Sequence, residues 1–172
     1  FVCVGDDGAL LRNPFSYRDP HTFGAMEEYF EKKVSKEKVY GATGIQFMNF
    51  NSLFQLYAMK RDGNSALKNA EKILFILGTC FKARPDVVFD IILFKVCEYT
   101  IASTSQMLNP VTKELDEMLL ESLELPRGKF GKMVVPGYRI GVLTDEVQKM
   151  TGLGPVPVIA VAGHDTASAV AG

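Results

Sequence analysis

The 172-residue sequence has no tryptophan, only two histidines, and three cysteines that never stand in a C-x-x-C arrangement. Zinc sites draw most of their ligands from cysteine and histidine at short spacings, so this scarcity argues against a zinc site. The odd, unclustered cysteines (Cys3, Cys80 and Cys97) also argue against a disulfide framework and predict a reducing, cytoplasmic setting.

Long apolar runs and an excess of one charge are also lacking. No hydrophobic stretch approaches the length of about 20 residues that a membrane-spanning helix needs, and no signal peptide is recognisable. The 19 basic and 20 acidic residues are interspersed and give a net charge of -1. This balance excludes nucleic acid and membranes as expected partners, and it leaves the oligomeric state open.

The common nucleotide and hydrolase motifs are absent as well. The sequence contains neither the phosphate-binding pattern G-x-x-x-x-G-K-[ST] nor the dinucleotide pattern G-x-G-x-x-G, and it has no G-x-S-x-G elbow. If the protein uses a nucleotide, we expect most of the binding surface to lie outside these residues.

What is present is an ordinary globular composition, with 47% hydrophobic and 23% charged residues, enough for one domain with a sizeable core. The first residues form two extended arms around the turn Asp6-Asp7-Gly8, which predicts a β-hairpin. Helical patterns follow, and a buried strand leads into a last helix. This order predicts an α/β fold. Neither end resembles a natural domain boundary, so we expect a piece of a longer protein.

The helices are predicted from caps and three- to four-residue apolar spacing. The interval 85–94 fits a helix or a buried strand equally well. The expected helices are 23–34 capped by Thr22, 36–43 ended by Gly44, 52–61 between a cap at Asn51 and a stop at Asp62-Gly63, 65–72, 113–125 with Leu115, Met118, Leu119 and Leu123 on one face, and 145–151 capped by Thr144.

The closing stretch VIAVAGHDTASAVAG places a charge where a strand meets a helix. Residues 158–162 lack polar alternation, which is typical of a strand covered on both faces. His164 and Asp165 then stand at the carboxyl end of this strand, where open α/β sheets bind ligands, and the start of the helix favours an ionised Asp165. The alternative is that Asp165 simply caps the helix and that His164 is a hydrogen-bonded structural residue.

Four stretches together resemble the FGGY family of carbohydrate kinases, and within it the branch that phosphorylates L-rhamnulose. These stretches are NPFSYRD, TGIQFMNFNSLFQLYAMK, EYTIASTSQMLN and TGLGPVPVIAVAGHDTASAVAG. The resemblance implies a ribonuclease-H-like, actin-like fold, with two such domains around a cleft. It also implies transfer of a phosphoryl group from ATP, with Mg²⁺, to the primary hydroxyl of a ketose sugar.

The resemblance assigns roles to few residues. Asp165 matches the catalytic base of the family's G-x-D element, and His164 and Thr166 match neighbours that line the sugar site. The 46–51 loop aligns with a segment that borders the sugar pocket. Residues 1–172 would then be part of the N-terminal domain, with its first strands before residue 1 and the nucleotide domain after residue 172, and we expect them to be inactive alone.

The sequence departs from the family in places. His21 stands where a basic residue usually follows the YRD stretch, and the interval 76–97 is longer than usual, through either an insertion or an error in the sequence. Other functions of the same fold stay open. They are a non-catalytic module that binds a sugar or a partner, a kinase for another ketose, and a structural ATPase of the actin type, which would not explain the 46–51 loop.

Overall fold

The computed structural model describes residues 1–75 and 96–171. The helices are α1 (Ala25–Lys32), α2 (Lys36–Thr43), α3 (Ser52–Arg61), α4 (Ser65–Asn69), α5 (Tyr99–Ala102), α6 (Glu117–Ser122), α7 (Asp145–Thr151) and α8 (Asp165–Ala171). The strands are β1 (Val2–Val4), β2 (Lys72–Leu74), β3 (Val96–Glu98), β4 (Leu108–Asn109), β5 (Glu114–Leu115), β6 (Lys132–Val134), β7 (Arg139–Val142) and β8 (Pro157–Ile159). Within these ranges no helix has the length and apolar character needed to cross a membrane.

The strands pair two by two. β1 runs antiparallel to β2, and β3 runs parallel to β6. A single parallel bridge between Ile73 and Phe130 joins β2 to the residues just before β6. This bridge places the four strands side by side in the order β1, β2, β6, β3. The remaining pairs, β4 with β5 and β7 with β8, are antiparallel.

The core is built mainly on α3, which is buried along most of its length. Phe54 and Leu56 are fully buried, and Tyr29 from α1 meets Phe54 edge-to-face with 5.9 Å between ring centroids. Such perpendicular aromatic pairs add packing energy beyond the area that they bury. Helices α1 and α3 therefore pack against each other in the core.

Several expected helix boundaries are confirmed. Gly44 and Gly63 follow α2 and α3 in the left-handed conformation, with φ of 68° and 64°. Thr144 caps α7, because its hydroxyl accepts a hydrogen bond from the N–H of Val147. The turn at residues 6–8 is also present, although its second arm is reduced to one bridge between Val4 and Leu10.

Other expectations about helices were wrong. Thr22 does not cap α1, because it lies in a one-turn 3₁₀ helix (Pro20–Thr22) and Gly24 holds the cap position. The long helix over 113–125 is confined to Glu117–Ser122, since Asp116 caps it there and Leu115 already belongs to β5. As a result Met118 points away from the buried face and is 37% exposed.

The closing strand also differs from its prediction. β8 spans three residues and pairs antiparallel with β7, whereas a longer strand in a parallel sheet was expected. Val161 is 60% exposed and residues 166–170 of α8 are exposed, because no layer of described residues covers this hairpin or this helix. The interval 85–94 and nearly all of 76–97 lie outside the described residues.

Candidate functional site

The turn of residues 163–166 follows β8 and opens α8. Asp165 is the first residue of the helix, and its side chain is exposed. Its Oδ1 accepts a hydrogen bond of 2.7 Å from the N–H of Thr166, the next residue. A capping side chain would reach an N–H two or three residues along, so Asp165 does not serve mainly as a cap. Its carboxylate is open to an incoming molecule.

This turn is held from a distant part of the chain. The carboxylate of Glu98, at the end of β3, accepts a 3.0 Å hydrogen bond from the N–H of Gly163. The hydroxyl of Thr100, in α5, accepts a 3.2 Å hydrogen bond from the N–H of His164. Two consecutive backbone N–H groups immediately before Asp165 are therefore bonded to one strand–helix junction.

The 46–51 loop is held by the same part of the chain. The buried side chain of Gln106 accepts a hydrogen bond of 2.8 Å from Asn51 Nδ2 and donates one of 3.3 Å to the carbonyl of Ile45. Asn51 also donates to the carbonyl of Gln46 at 3.2 Å. Asn51 stands at the N-cap position of α3 as predicted, but its side chain makes no capping bond because these partners engage it.

The segment 98–106 therefore connects two regions that the sequence singled out. Its first residues bond the turn before Asp165, and its last residue bonds the 46–51 loop. It also accepts a 3.0 Å hydrogen bond from the N–H of Leu53 at the carbonyl of Ser105. The polar groups of this segment thus fix both regions relative to one framework.

A cleft of about 350 Å³ lies beside the 46–51 loop. Here the SYRD stretch, residues 16–19, lies against the loop, since the ring of Tyr17 meets that of Phe50 edge-to-face with 5.8 Å between centroids. The hydroxyl of Tyr17 also accepts a 2.8 Å hydrogen bond from the side chain of Arg18. Phe47 lines the cleft and also contacts Phe30 at 5.0 Å, so it belongs both to the cleft and to the edge of the core. The cleft lining is Tyr17, Arg18, Asp19, Thr22, Phe23, Phe47, Met48, Asn49 and Phe50.

His21, at the position where a basic side chain was expected, takes part in packing. Its ring stacks on Phe15 with 3.7 Å between centroids, and the guanidinium of Arg12 lies 3.5 Å from the centroid of the Phe15 ring. Burial lowers the pKa of His21, although the carboxylate of Asp19 at 3.3 Å opposes this effect. The neutral imidazole is favoured, and the positive charge is not restored here.

Within residues 1–75 and 96–171 no group of three His, Cys, Asp or Glu side chains is arranged to hold a metal ion. The described residues thus form no complete magnesium site of their own.

Glu98, Thr100 and Gln106 were missed as site residues by sequence reasoning. A signal was present. An acidic residue that ends a strand, followed two positions later by a hydroxyl at a helix start, is a local capping pattern. Such a buried carboxylate can accept further N–H groups from elsewhere in the fold.

Comparisons with known proteins identify the family of the chain. The model of the FGGY family of carbohydrate kinases, N-terminal domain, matches residues 1–172. Among curated proteins, the rhamnulokinase of Bacteroides thetaiotaomicron is 54% identical over 99% of this chain and 34% of its own length. The rhamnulokinase of Ligilactobacillus salivarius is 40% identical over the whole chain and 33% of its own length. The chain spans about a third of the length of the curated relatives it matches.

Solved structures show the same fold at lower identity. The xylulose kinase of Lactobacillus acidophilus superposes with a TM-score of 0.77 at 20% identity, covering 94% of this chain and 31% of its own. A carbohydrate kinase of Novosphingobium aromaticivorans gives 0.72 at 22% identity over 98% of this chain and 34% of its own. These matches confirm the α/β fold of the ribonuclease-H-like, actin-like class. By its sequence and its fold, the chain belongs to the FGGY family of carbohydrate kinases.

Proposed function

We propose that the whole protein is an ATP-dependent carbohydrate kinase that phosphorylates the primary hydroxyl of L-rhamnulose, with Asp165 as the general base. The observation that carries this proposal is the match of the chain, from residue 1 to residue 172, to the N-terminal domain of a carbohydrate kinase family. The position of Asp165, exposed at a strand–helix junction whose backbone is held by buried polar groups, supports it.

Phosphoryl transfer to a hydroxyl is assisted by a carboxylate at such a position. Phosphoryl transfer has a loose transition state, so catalysis depends on positioning and on stabilising charge. One ionised group must orient the attacking hydroxyl and accept its proton, and a carboxylate acts only as an acceptor when ionised.

The sugar is proposed from the relatives and from the cleft. Relatives that share 54% and 40% of their residues with this chain are named rhamnulokinases. L-Rhamnulose ends in a methyl group, and the cleft beside the 46–51 loop offers apolar side chains, Phe47, Met48 and Phe50, next to the amide of Asn49. We propose that His164 and Thr166 contact sugar hydroxyls near Asp165.

The decisive experiment is Asp165→Asn in the full-length protein, with Asp145→Asn as the matched control. Both residues are exposed aspartates at the first position of a seven-residue helix. Asn has nearly the same shape as Asp and is a far weaker base. We expect Asp165→Asn to lower kcat by about 10²- to 10⁴-fold with little change in sugar affinity, and Asp145→Asn to leave kcat within about twofold.

Near-normal turnover of Asp165→Asn would refute the base assignment. Absence of any ketose-dependent ADP release by the unmodified full-length protein would instead favour a non-catalytic module of this fold. The same assay, reported as kcat/KM, tests the sugar. We expect some activity on L-fuculose, which keeps the terminal methyl group and differs from L-rhamnulose only in configuration at one hydroxyl-bearing carbon. We expect almost none on glycerol, because its missing hydroxyls leave polar groups of the site unpaired. A higher kcat/KM for xylulose would point to another ketose.

A further inference from the structure

Glu98 is a buried carboxylate that the proposed reaction does not use. The residue is only 1% exposed. Oε1 accepts a 2.7 Å hydrogen bond from the N–H of Thr100, and Oε2 accepts bonds from the Thr100 hydroxyl at 2.6 Å and the Ile101 N–H at 3.2 Å. A buried charge is costly unless it is hydrogen-bonded in this way, so its position is closely determined.

The same carboxylate reaches the other end of the chain. Oε2 also accepts the bond from the N–H of Gly163, 65 residues away in sequence. The hydroxyl of Thr100 donates to Glu98 and accepts from the N–H of His164, so it links the carboxylate to the second residue of the turn. Hydrogen bonds to an ionised acceptor are shorter and stronger than neutral ones.

The turn has few other ties in the described part of the chain. Residues 161 and 162 are exposed, as are residues 166–170 of α8, and the bonds of Ser168 to His164 and Ala162 are local. Among the described residues, the long-range hydrogen bonds of the turn are therefore the two that the N–H groups of Gly163 and His164 donate to the β3–α5 junction.

We propose that Glu98 and Thr100 are positioning residues for the kinase reaction, an inference that rests on the proposed function of Asp165. They hold the backbone at Gly163 and His164, and through that backbone they set the place of the Asp165 carboxylate. Neither residue is assigned a contact with substrate. A base must stand within hydrogen-bond reach of the hydroxyl that it deprotonates, so loosening this backbone lowers the rate of the chemical step.

The test is Thr100→Val in the full-length protein, which keeps the shape of the side chain and removes the hydroxyl. Thr104→Val is the matched control, because Thr104 is similarly half-buried just after α5 and its hydroxyl donates a local hydrogen bond to the carbonyl of Ile101, the one bond it makes to a described residue. We expect Thr100→Val to lower kcat about tenfold with an unchanged KM for ATP. Thr100→Ser, which restores the hydroxyl, should recover most of the rate, and Thr104→Val should stay within about twofold.

A double-mutant cycle with Asp165→Asn tests whether Thr100 acts through Asp165. We expect Thr100→Val to cost much less in the Asp165→Asn background than in the unmodified protein, because the group that it positions is no longer a base. Equal costs in both backgrounds, or equal kcat for Thr100→Val and Thr104→Val, would overturn the positioning role while leaving the base assignment intact. Normal turnover of Asp165→Asn would refute the base assignment itself.

Glu98→Gln is a second variant if Thr100→Val folds poorly. The amide oxygen can keep the three bonds made by Oε2, while the amide nitrogen faces the N–H of Thr100. We expect a severalfold fall in kcat, an unchanged KM for ATP and faster hydrogen exchange at the His164 amide. Normal kcat together with normal exchange at His164 would overturn the proposal.

Discussion

The side chain of Gln106 offers a direct test of how the 46–51 loop is held. It is fully buried and accepts one hydrogen bond from Asn51 while donating two, to Thr43 Oγ1 at 2.8 Å and to the carbonyl of Ile45 at 3.3 Å. Methionine has a similar length and shape but cannot make these bonds. Gln106→Met therefore removes the polar contacts and leaves the volume nearly unchanged.

The magnitude follows from counting the groups that lose a partner. Thr43 still donates to the carbonyl of Val39, and one N–H of Asn51 still bonds Gln46. Two groups are left unpaired, the other N–H of Asn51 and the carbonyl of Ile45. An unpaired buried group costs about 1–3 kcal/mol, and the carbonyl of the half-buried Ile45 costs about 1 kcal/mol at the low end of that range, so we expect a total loss of about 2–4 kcal/mol. Gln106 has a φ of 63°, and methionine carries the same backbone strain, so that contribution cancels.

The measurement is hydrogen exchange followed by mass spectrometry on the full-length protein. The reporter is the N–H of Leu53, which donates to the carbonyl of Ser105 at 3.0 Å and joins the start of α3 to the segment that holds Gln106. We expect this amide to exchange tens to hundreds of times faster in Gln106→Met. Gln148→Met is the control. Gln148 lies in helix α7, and this variant removes the hydrogen bond of 2.6 Å that its side chain donates to the carbonyl of Leu143. Equal exchange at Leu53 in the two variants would refute the reasoning.

Two further predictions concern stability. Gly41→Ala and Gly44→Ala should have opposite effects on the free energy of unfolding, although a Cβ at either position would meet no atom within 4 Å. Gly41 lies inside α2 and should gain about 0.5–1 kcal/mol, whereas Gly44 has a φ of 68° and should lose about 1 kcal/mol; effects of the same sign in urea unfolding would contradict this. Burial raises the pKa of Tyr29 from 10 to about 12, so the stability from its neutral form is present below pH 10 and lost as pH rises towards 12. Apparent Tm should therefore fall less steeply over that range in Tyr29→Phe, and identical slopes would exclude the effect.

The sequence predicted helix ends well where one residue determines the local backbone. Gly44 and Gly63 act through their own φ, and the hydroxyl of Thr144 accepts a hydrogen bond from an N–H three residues later. Such short-range effects are visible in a sequence pattern. The prediction that Thr22 caps α1 was wrong because Pro20 and a cap at Asp19 direct the chain into a separate 3₁₀ turn. Two local signals competed there, and the sequence does not show which one prevails.

The site was predicted only in part, for a different reason. Asp165 could be singled out because it follows an apolar strand, where open α/β sheets bind ligands, and because its surroundings resemble the G-x-D element of the family. Gln106 could not, and the local pattern at Glu98 indicated only its capping bonds, because the long-range partners of Glu98 and Gln106 lie 65 and 55 residues away along the sequence. A buried carboxylate and a buried amide look like ordinary surface residues until the fold brings their partners to them. The prediction that β8 is covered on both faces was wrong for a similar reason. An apolar run shows that a strand can be buried, but it does not show which residues pack against it.

The polar character of the segment 98–106 is itself an argument for its role. Glu98, Ser105 and Gln106 are at most 1% exposed, and burying such groups costs free energy that an apolar segment of similar volume would avoid. What the polar groups provide is directional bonding, which apolar packing lacks. The bonds of this segment reach the backbone before Asp165 and the 46–51 loop beside the cleft, and they also reach α2 at Thr43 and α3 at Leu53. If the loop contacts the sugar and Asp165 contacts the reacting hydroxyl of that sugar, these shared polar groups keep the loop and Asp165 in a fixed position relative to each other. Substitutions in this segment should then disturb catalysis before they disturb the fold.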